Sequence, residues 1–175
     1  MGIVRKVHKW IGLLLGLQLL LWMFSGLGMA ILPHDKVAGD HRRVNAEPAL
    51  VLGDIVGQIT AEPSKTAPDV SRIQLRPFAE RAVFQVDTRE GSYLSDAGNG
   101  SRVAIDEALA RQVAARDYSG AARISNIRYF EIPNLETRDH SGPAWQVNFN
   151  DPEHTSLYVS AETGDILERR NNYWR

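Results

Sequence analysis

The sequence predicts an α+β protein with one N-terminal membrane helix followed by two units, each a helix plus an antiparallel sheet. Three observations predict it. Residues 11–32 read IGLLLGLQLLLWMFSGLGMAIL, without a charge. Beyond them, short runs alternate apolar and polar residues, as half-buried strands do. These runs come in the same order twice, with similar residues at matching places.

The apolar stretch comes first. Twenty-two helical residues rise about 33 Å, enough to cross a hydrocarbon core about 30 Å thick. Residues 1–10 form a basic tail with Arg5, Lys6 and Lys9 and no acid. Basic residues stay on the cytoplasmic side, so the tail is expected inside and the remainder outside. Trp10 stands where an interfacial aromatic anchor would. The competing reading is a cleaved signal peptide, with Gly28-Met29-Ala30 as the small-x-small site. The length of the apolar run and the bulk of Trp22 and Phe24 favour an uncleaved anchor. Gly12 and Gly16 make a GxxxG pair, and Gln18 and Ser25 share a face, which points to a helical partner in the membrane. The same glycine spacing also arises by chance in membrane helices.

Charge and cysteine content narrow the function. The net charge is −1; with three cations in residues 1–32, residues 33–175 carry −4. Such a domain lacks the basic stripe of a nucleic-acid binder. There are no cysteines, which excludes disulfides, thiolate metal sites and Cys nucleophiles and is compatible with a periplasmic setting.

Residues 33–47, PHDKVAGDHRRVNAE, read as a juxtamembrane linker or an opening strand. The first unit, 48–103, begins with Pro48 in a first helical turn and continues with Leu50, Leu52, Ile55, Val56 and Ile59 at roughly helical spacing. A loop over 61–69 follows. Strands are predicted over 70–76, closed by Pro77, then over 81–86 and 92–95. A turn at 96–100 and extended chain at 102–104 complete the unit.

The second unit, 104–170, opens with a helix over 105–115. Asp106 and Glu107 lie in its first turn, Arg111 and Arg116 nearer its end. Ile105, Leu109, Gln112, Val113 and Arg116 mark its inner stripe. A strand over 122–130 places Ile124, Asn126, Arg128 and Phe130 on one face. A polar loop over 131–143 leads to strands at 144–149 and 156–159, a turn at 160–164 and a last strand from 165. Residues 171–175 form a C-terminal stub. Val83-Phe84-Gln85-Val86 corresponds to Ala144-Trp145-Gln146-Val147, and residues 95–103 correspond to 159–167.

These residues carry a family resemblance. Trp145-Gln146-Val147, the strand at 156–159 and Ser160-Ala161-Glu162-Thr163-Gly164-Asp165-Ile166-Leu167, after the helix at Ile105, resemble a PepSY domain with its D/S-A-x-T-G-x-I/V-L turn. Arg5-Lys6-Val7-His8-Lys9-Trp10-Ile11-Gly12-Leu13, followed by Ser25-Gly26, resembles the first helix of PepSY-associated transmembrane proteins. The resemblance implies a single-pass protein of the bacterial inner membrane with a periplasmic domain, accessory to iron or siderophore uptake. Some larger relatives are similar to haem-containing ferric-siderophore reductases, and free-standing PepSY domains resemble peptidase propeptides. A haem-binding reductase subunit and a peptidase inhibitor are therefore the alternatives. Relatives continue past the residues matching Tyr173-Trp174-Arg175 into a histidine-bearing segment and another membrane helix. The present sequence reads as a one-helix variant or a truncated form.

Candidate chemistry is sparse. His8 matches the family's N-terminal histidine and is the candidate cofactor-binding residue, as an axial ligand to haem. A polar interfacial anchor is the plainer role, because a bis-histidine site needs a second helix. His34 and His41, with Asp35 and Asp40, could form only a loose metal site, and solvated linker charge explains them better. His140 and His154 read as exposed loop residues. Asp139-His140-Ser141 lacks a nucleophile elbow, and no GxGxxG or P-loop is present. Phe84 and Trp145 read as core. The expected activity is binding or regulation, not catalysis. The expected partners are the membrane, another transmembrane helix or membrane protein, and a peptidase; no nucleic acid is expected.

Overall fold

The computed structural model describes residues 2–44 and 70–175. Helix α1 (Gly2–Ile31) takes in both the basic tail and the apolar run. It is long and apolar enough to cross a membrane, and none of its residues is buried by the rest of the chain. Pro33 ends it, since a proline cannot continue the hydrogen-bond ladder. The predicted first-unit helix at Pro48 to Ile59 lies outside the described residues.

The segment after Pro33 folds as α2 (His34–Ala38) and a 3-10 turn (Asp40–Arg42). It is laid against the second unit. Val44 N donates to Asp117 O (2.7 Å) and Ser119 N to Arg42 O (2.8 Å). Asn171 Nδ2 donates to Lys36 O at 2.7 Å.

Two four-stranded antiparallel meanders follow. The first holds β1 (Val70–Phe78), β2 (Arg81–Thr88), β3 (Ser92–Asp96) and β4 (Arg102–Val103) in that order. The second holds β5 (Ile124–Phe130), β6 (Ala144–Phe149), β7 (Ser156–Ser160) and β8 (Ile166–Arg170), again in chain order. Helix α3 (Glu107–Asp117) packs on β5, β6 and β7.

The internal repeat extends to individual hydrogen bonds. In the first sheet Asp96 N donates to Ser101 O and Gly100 N to Asp96 O, both at 2.8 Å. In the second, Ser160 N donates to Asp165 O at 2.8 Å and Gly164 N to Ser160 O at 2.9 Å. Asp96 Oδ1 accepts from the amides of Gly98 and Asn99; Ser160 Oγ accepts from those of Glu162 and Thr163. Gly100 and Gly164 share a φ of +72°, a conformation that favours glycine. Even the irregularities match, with a bulge between Val70 and Arg72 in β1 and between Ile124 and Asn126 in β5.

The bulge corrects the predicted faces of β5. A strict alternation would separate Ile124 from Ile127, but one extra residue turns both toward the core. The helix is also displaced from the expected stripe. Asp106 is its N-cap, accepting from Leu109 N at 2.8 Å, so the helix begins at Glu107. Ala110 and Ala114 then form its buried line, while Gln112 and Arg116 are exposed. Pro77 does not close β1; it pairs with Ala82 within the strand. An edge strand tolerates this because its outer N–H positions need no partner.

The two sheets share one core. Phe78, Val83 and Leu94 from the first pack with Val147, Phe149, Leu157 and Val159 from the second, with Ile105, Ala110, Ala114 and Tyr118 between. A separate cluster of Ala82, Phe84, Val86 and Ala97 lies on the other face of the first sheet. Phe84 is core, as expected. Trp145 is half-buried and donates Nε1–H to Ile105 O at 2.8 Å, because an indole this close to the sheet end can reach a carbonyl.

Candidate functional site

A cleft opens where the two units meet. Its volume is about 450 Å³, and its apolar walls are Val44, Phe78, Val113 and Ile166. The β1–β2 hairpin supplies one lip through a two-residue turn, Ala79 and Glu80, with φ of +47° and +68°. Two consecutive left-handed residues fit the twist of a hairpin, although neither is the glycine or asparagine that adopts this most easily. The turn carries Glu80 to Arg116 of α3 at 2.5 Å. That pair is exposed and worth little stability.

Arg76 holds the other lip. Its Nη1 donates to Asp165 Oδ1 at 2.6 Å and its Nη2 to Thr163 O. Thr163 Oγ1 donates to the second oxygen of Asp165 at 2.6 Å. One arginine of the first unit thus fixes the 160–165 turn of the second. The charged groups on this rim are paired, Arg76 with Asp165, Glu80 with Arg116 and Asp117 with Arg169, so the cleft offers an apolar notch rather than a charge for a small ion.

The outer face of the second sheet carries a polar network. Arg175 embraces Glu136 through Nε (2.8 Å) and Nη2 (3.1 Å), and Tyr158 donates to Glu136 Oε2 at 2.9 Å. Burial pushes Glu136 up, but the hydrogen bonds from Arg175 and Tyr158 outweigh it and hold the carboxyl below its ordinary range. Burial first, and then Glu136, push the Tyr158 hydroxyl up to about 12. These partners fix the 131–143 loop over the sheet. Sequence reading missed the network, since nothing local links residues 136, 158 and 175.

The predicted candidates separate. His8 lies on α1, remote in sequence from every group above and exposed. His34 and Asp35 sit in α2. His41 is not a solvated linker residue: its Nε2 is 2.7 Å from Glu153 Oε2, and both side chains are about four-fifths buried (20% and 18% exposed). His140 is half-buried rather than exposed, 3.0 Å from Glu168 Oε1. In both cases a distant acid, invisible to local reading, draws the imidazole in. His154 is exposed, at a φ of +50°. Among the described residues, no group of three or more His, Asp or Glu side chains comes together to hold a metal.

Comparison with known proteins agrees with this architecture. Residues 104–170 match the family model described as PepSY, the peptidase propeptide and YPEB domain. The second unit is a PepSY domain. Together with the N-terminal apolar helix, the match is consistent with a PepSY-associated transmembrane protein. No curated protein and no solved structure matches. The matched span runs from the end of β4 through β8, and so contains α3, the whole second sheet and the Gly164 turn. PepSY domains are propeptide or regulatory modules.

Proposed function

We propose that this protein is a membrane-tethered PepSY module that restrains a peptidase on the outer side of the bacterial inner membrane. The observation that carries the reading is the PepSY match over residues 104–170, a family described by its peptidase propeptides. The basic residues Arg5, Lys6 and Lys9 support an inside N-terminus and an outside PepSY domain. Packing of α2 and the 3-10 turn on the second unit supports a domain held close to the bilayer. A role in iron or siderophore uptake draws no support from the family match.

The test uses the full-length chain in detergent micelles, titrated into secreted metallopeptidases acting on a fluorogenic peptide. Saturable loss of peptidase activity is expected. No effect across the panel removes the reading. Haem ligation by His8 is decided separately: a Soret band lost in His8→Ala supports it, and a colourless protein from haem-replete cells ends it.

A further inference from the structure

The two sheets have four edges, and three are blunted. β4 is two residues long. β8 lies beside α2, and all five of its residues are half-buried. β1 has Pro77 within the strand, which has no N–H to give a further strand.

β5 is the counterpart of β1 and shares its bulge, but it lacks the proline. Among the described residues no strand pairs with its outer side. Ser125, Asn126, Arg128 and Tyr129 are exposed. Past its end, in the 131–143 loop, Ile132 and Leu135 stand 76% and 73% exposed. Arg123 and Arg128 have no ion-pair partner among the described residues, and β5 holds no acid. Soluble chains protect such edges, because their free N–H and C=O groups recruit another strand.

We propose that the β5 edge receives an extended segment of a partner protein, alternating acidic and apolar residues. Its backbone pairs with β5, as in other strand-addition complexes. Its carboxylates face Arg123 and Arg128, and its apolar side chains meet Tyr129 and Ile132. Charge selects this occupant over a second copy, since two β5 edges together would crowd four arginines along one seam. The inference rests on the peptidase reading, and identifies the surface by which the module would grip its target.

The test uses the full-length chain in detergent micelles and a fluorescein-labelled octapeptide of alternating Glu and Val. Saturable binding is expected by anisotropy. A peptide N-methylated at alternate residues, unable to complete the ladder, is expected to bind at least about tenfold more weakly. Arg128→Glu, with an unchanged circular dichroism spectrum, is expected to lose the acidic peptide by a similar factor and to gain a Lys-Val peptide. No binding overturns the proposal, as does equal binding of the methylated peptide, which would mean adsorption by charge alone. Chain-to-chain cross-linking of Tyr129→Cys, clean because the chain has no cysteine, would assign the edge to a second copy and overturn it too. Peptide binding without peptidase inhibition would sink only the peptidase reading. Inhibition that survives loss of peptide binding would sink only the edge.

Discussion

The ring of Phe78, in the first unit, lies directly on the backbone of Gly164, in the second. A Cβ built on Gly164 would fall 2.4 Å from two ring carbons, and the residue's φ of +72° would strain any other side chain. Gly164→Ala is therefore expected to destabilise the chain by about 2–4 kcal/mol, combining backbone strain with overpacking. In a Phe78→Ala background the added cost should shrink to about 1 kcal/mol, the strain alone. Urea unfolding of the four proteins of this cycle measures the coupling. Equal costs in both backgrounds would show that the ring and the glycine do not interlock.

The matching turns predict matching capping energies. Asp96→Ala removes the acceptor for two amides and should cost about 1 kcal/mol, whereas Asp96→Ser, which installs the residue that caps the second turn, should cost roughly half or less. Denaturation midpoints compare the two. A serine variant as unstable as the alanine variant would mean that the aspartate acts through its 3.7 Å pairing with Arg81 rather than through the turn.

Stability should fall at both ends of the pH scale. Burial raises Asp151, but hydrogen bonds from Thr155 Oγ1 and N and from Tyr118 OH, with the charge of Arg42, bring it below its ordinary range; Glu136 is also lowered. A carboxyl whose folded pKa is depressed stabilises the fold above its unfolded value, about 3.9–4.3, and that stabilisation is lost as pH falls. At the other end Tyr118 and Tyr158 are pushed up to about 12, chiefly by burial. Their contribution is intact below the unfolded value of about 10 and is lost as pH rises through 12. Urea midpoints between pH 3 and 6 should rise with pH, with a shallower slope in Asp151→Asn. An unchanged slope would assign the acid sensitivity to other groups.

His41 and Glu153 join the membrane-proximal segment to the PepSY domain. Glu153→Gln weakens that contact at 2.7 Å without removing its shape. Amide exchange over residues 34–44 is expected to accelerate several-fold, while β6 and β7 stay protected, because the segment opens locally and not with the core. Equal acceleration in the sheet would show that the segment and the core unfold as one.

Much of this architecture is legible locally. The uncharged run at 11–32 needs only its length and hydropathy to be read as a membrane-crossing helix. Strand β6 is bounded as its alternation indicates, and both glycine turns announce themselves by residue type. Helix α3 is legible in existence and slips by two residues, because a capping side chain sets where a helix begins and periodicity alone does not locate it. The Arg76 clamp on Asp165 and Thr163, and the Glu136–Tyr158–Arg175 network, leave no local trace. Their members are far apart in sequence and polar, so each alone looks like ordinary surface.

Sequence by itself determined the long apolar N-terminal helix, the α+β class, the repeat and the PepSY character of the second unit. These rest on period, composition and turn chemistry, which act over a few neighbouring residues. Only the tertiary structure decided that the two units share a core through Phe78 and Gly164. It alone decided that His41 and His140 are tied to acids, and that no strand among the described residues pairs with the outer side of β5. Those outcomes depend on which surfaces meet and which edges remain unpaired. Packing among residues distant in the chain settles both.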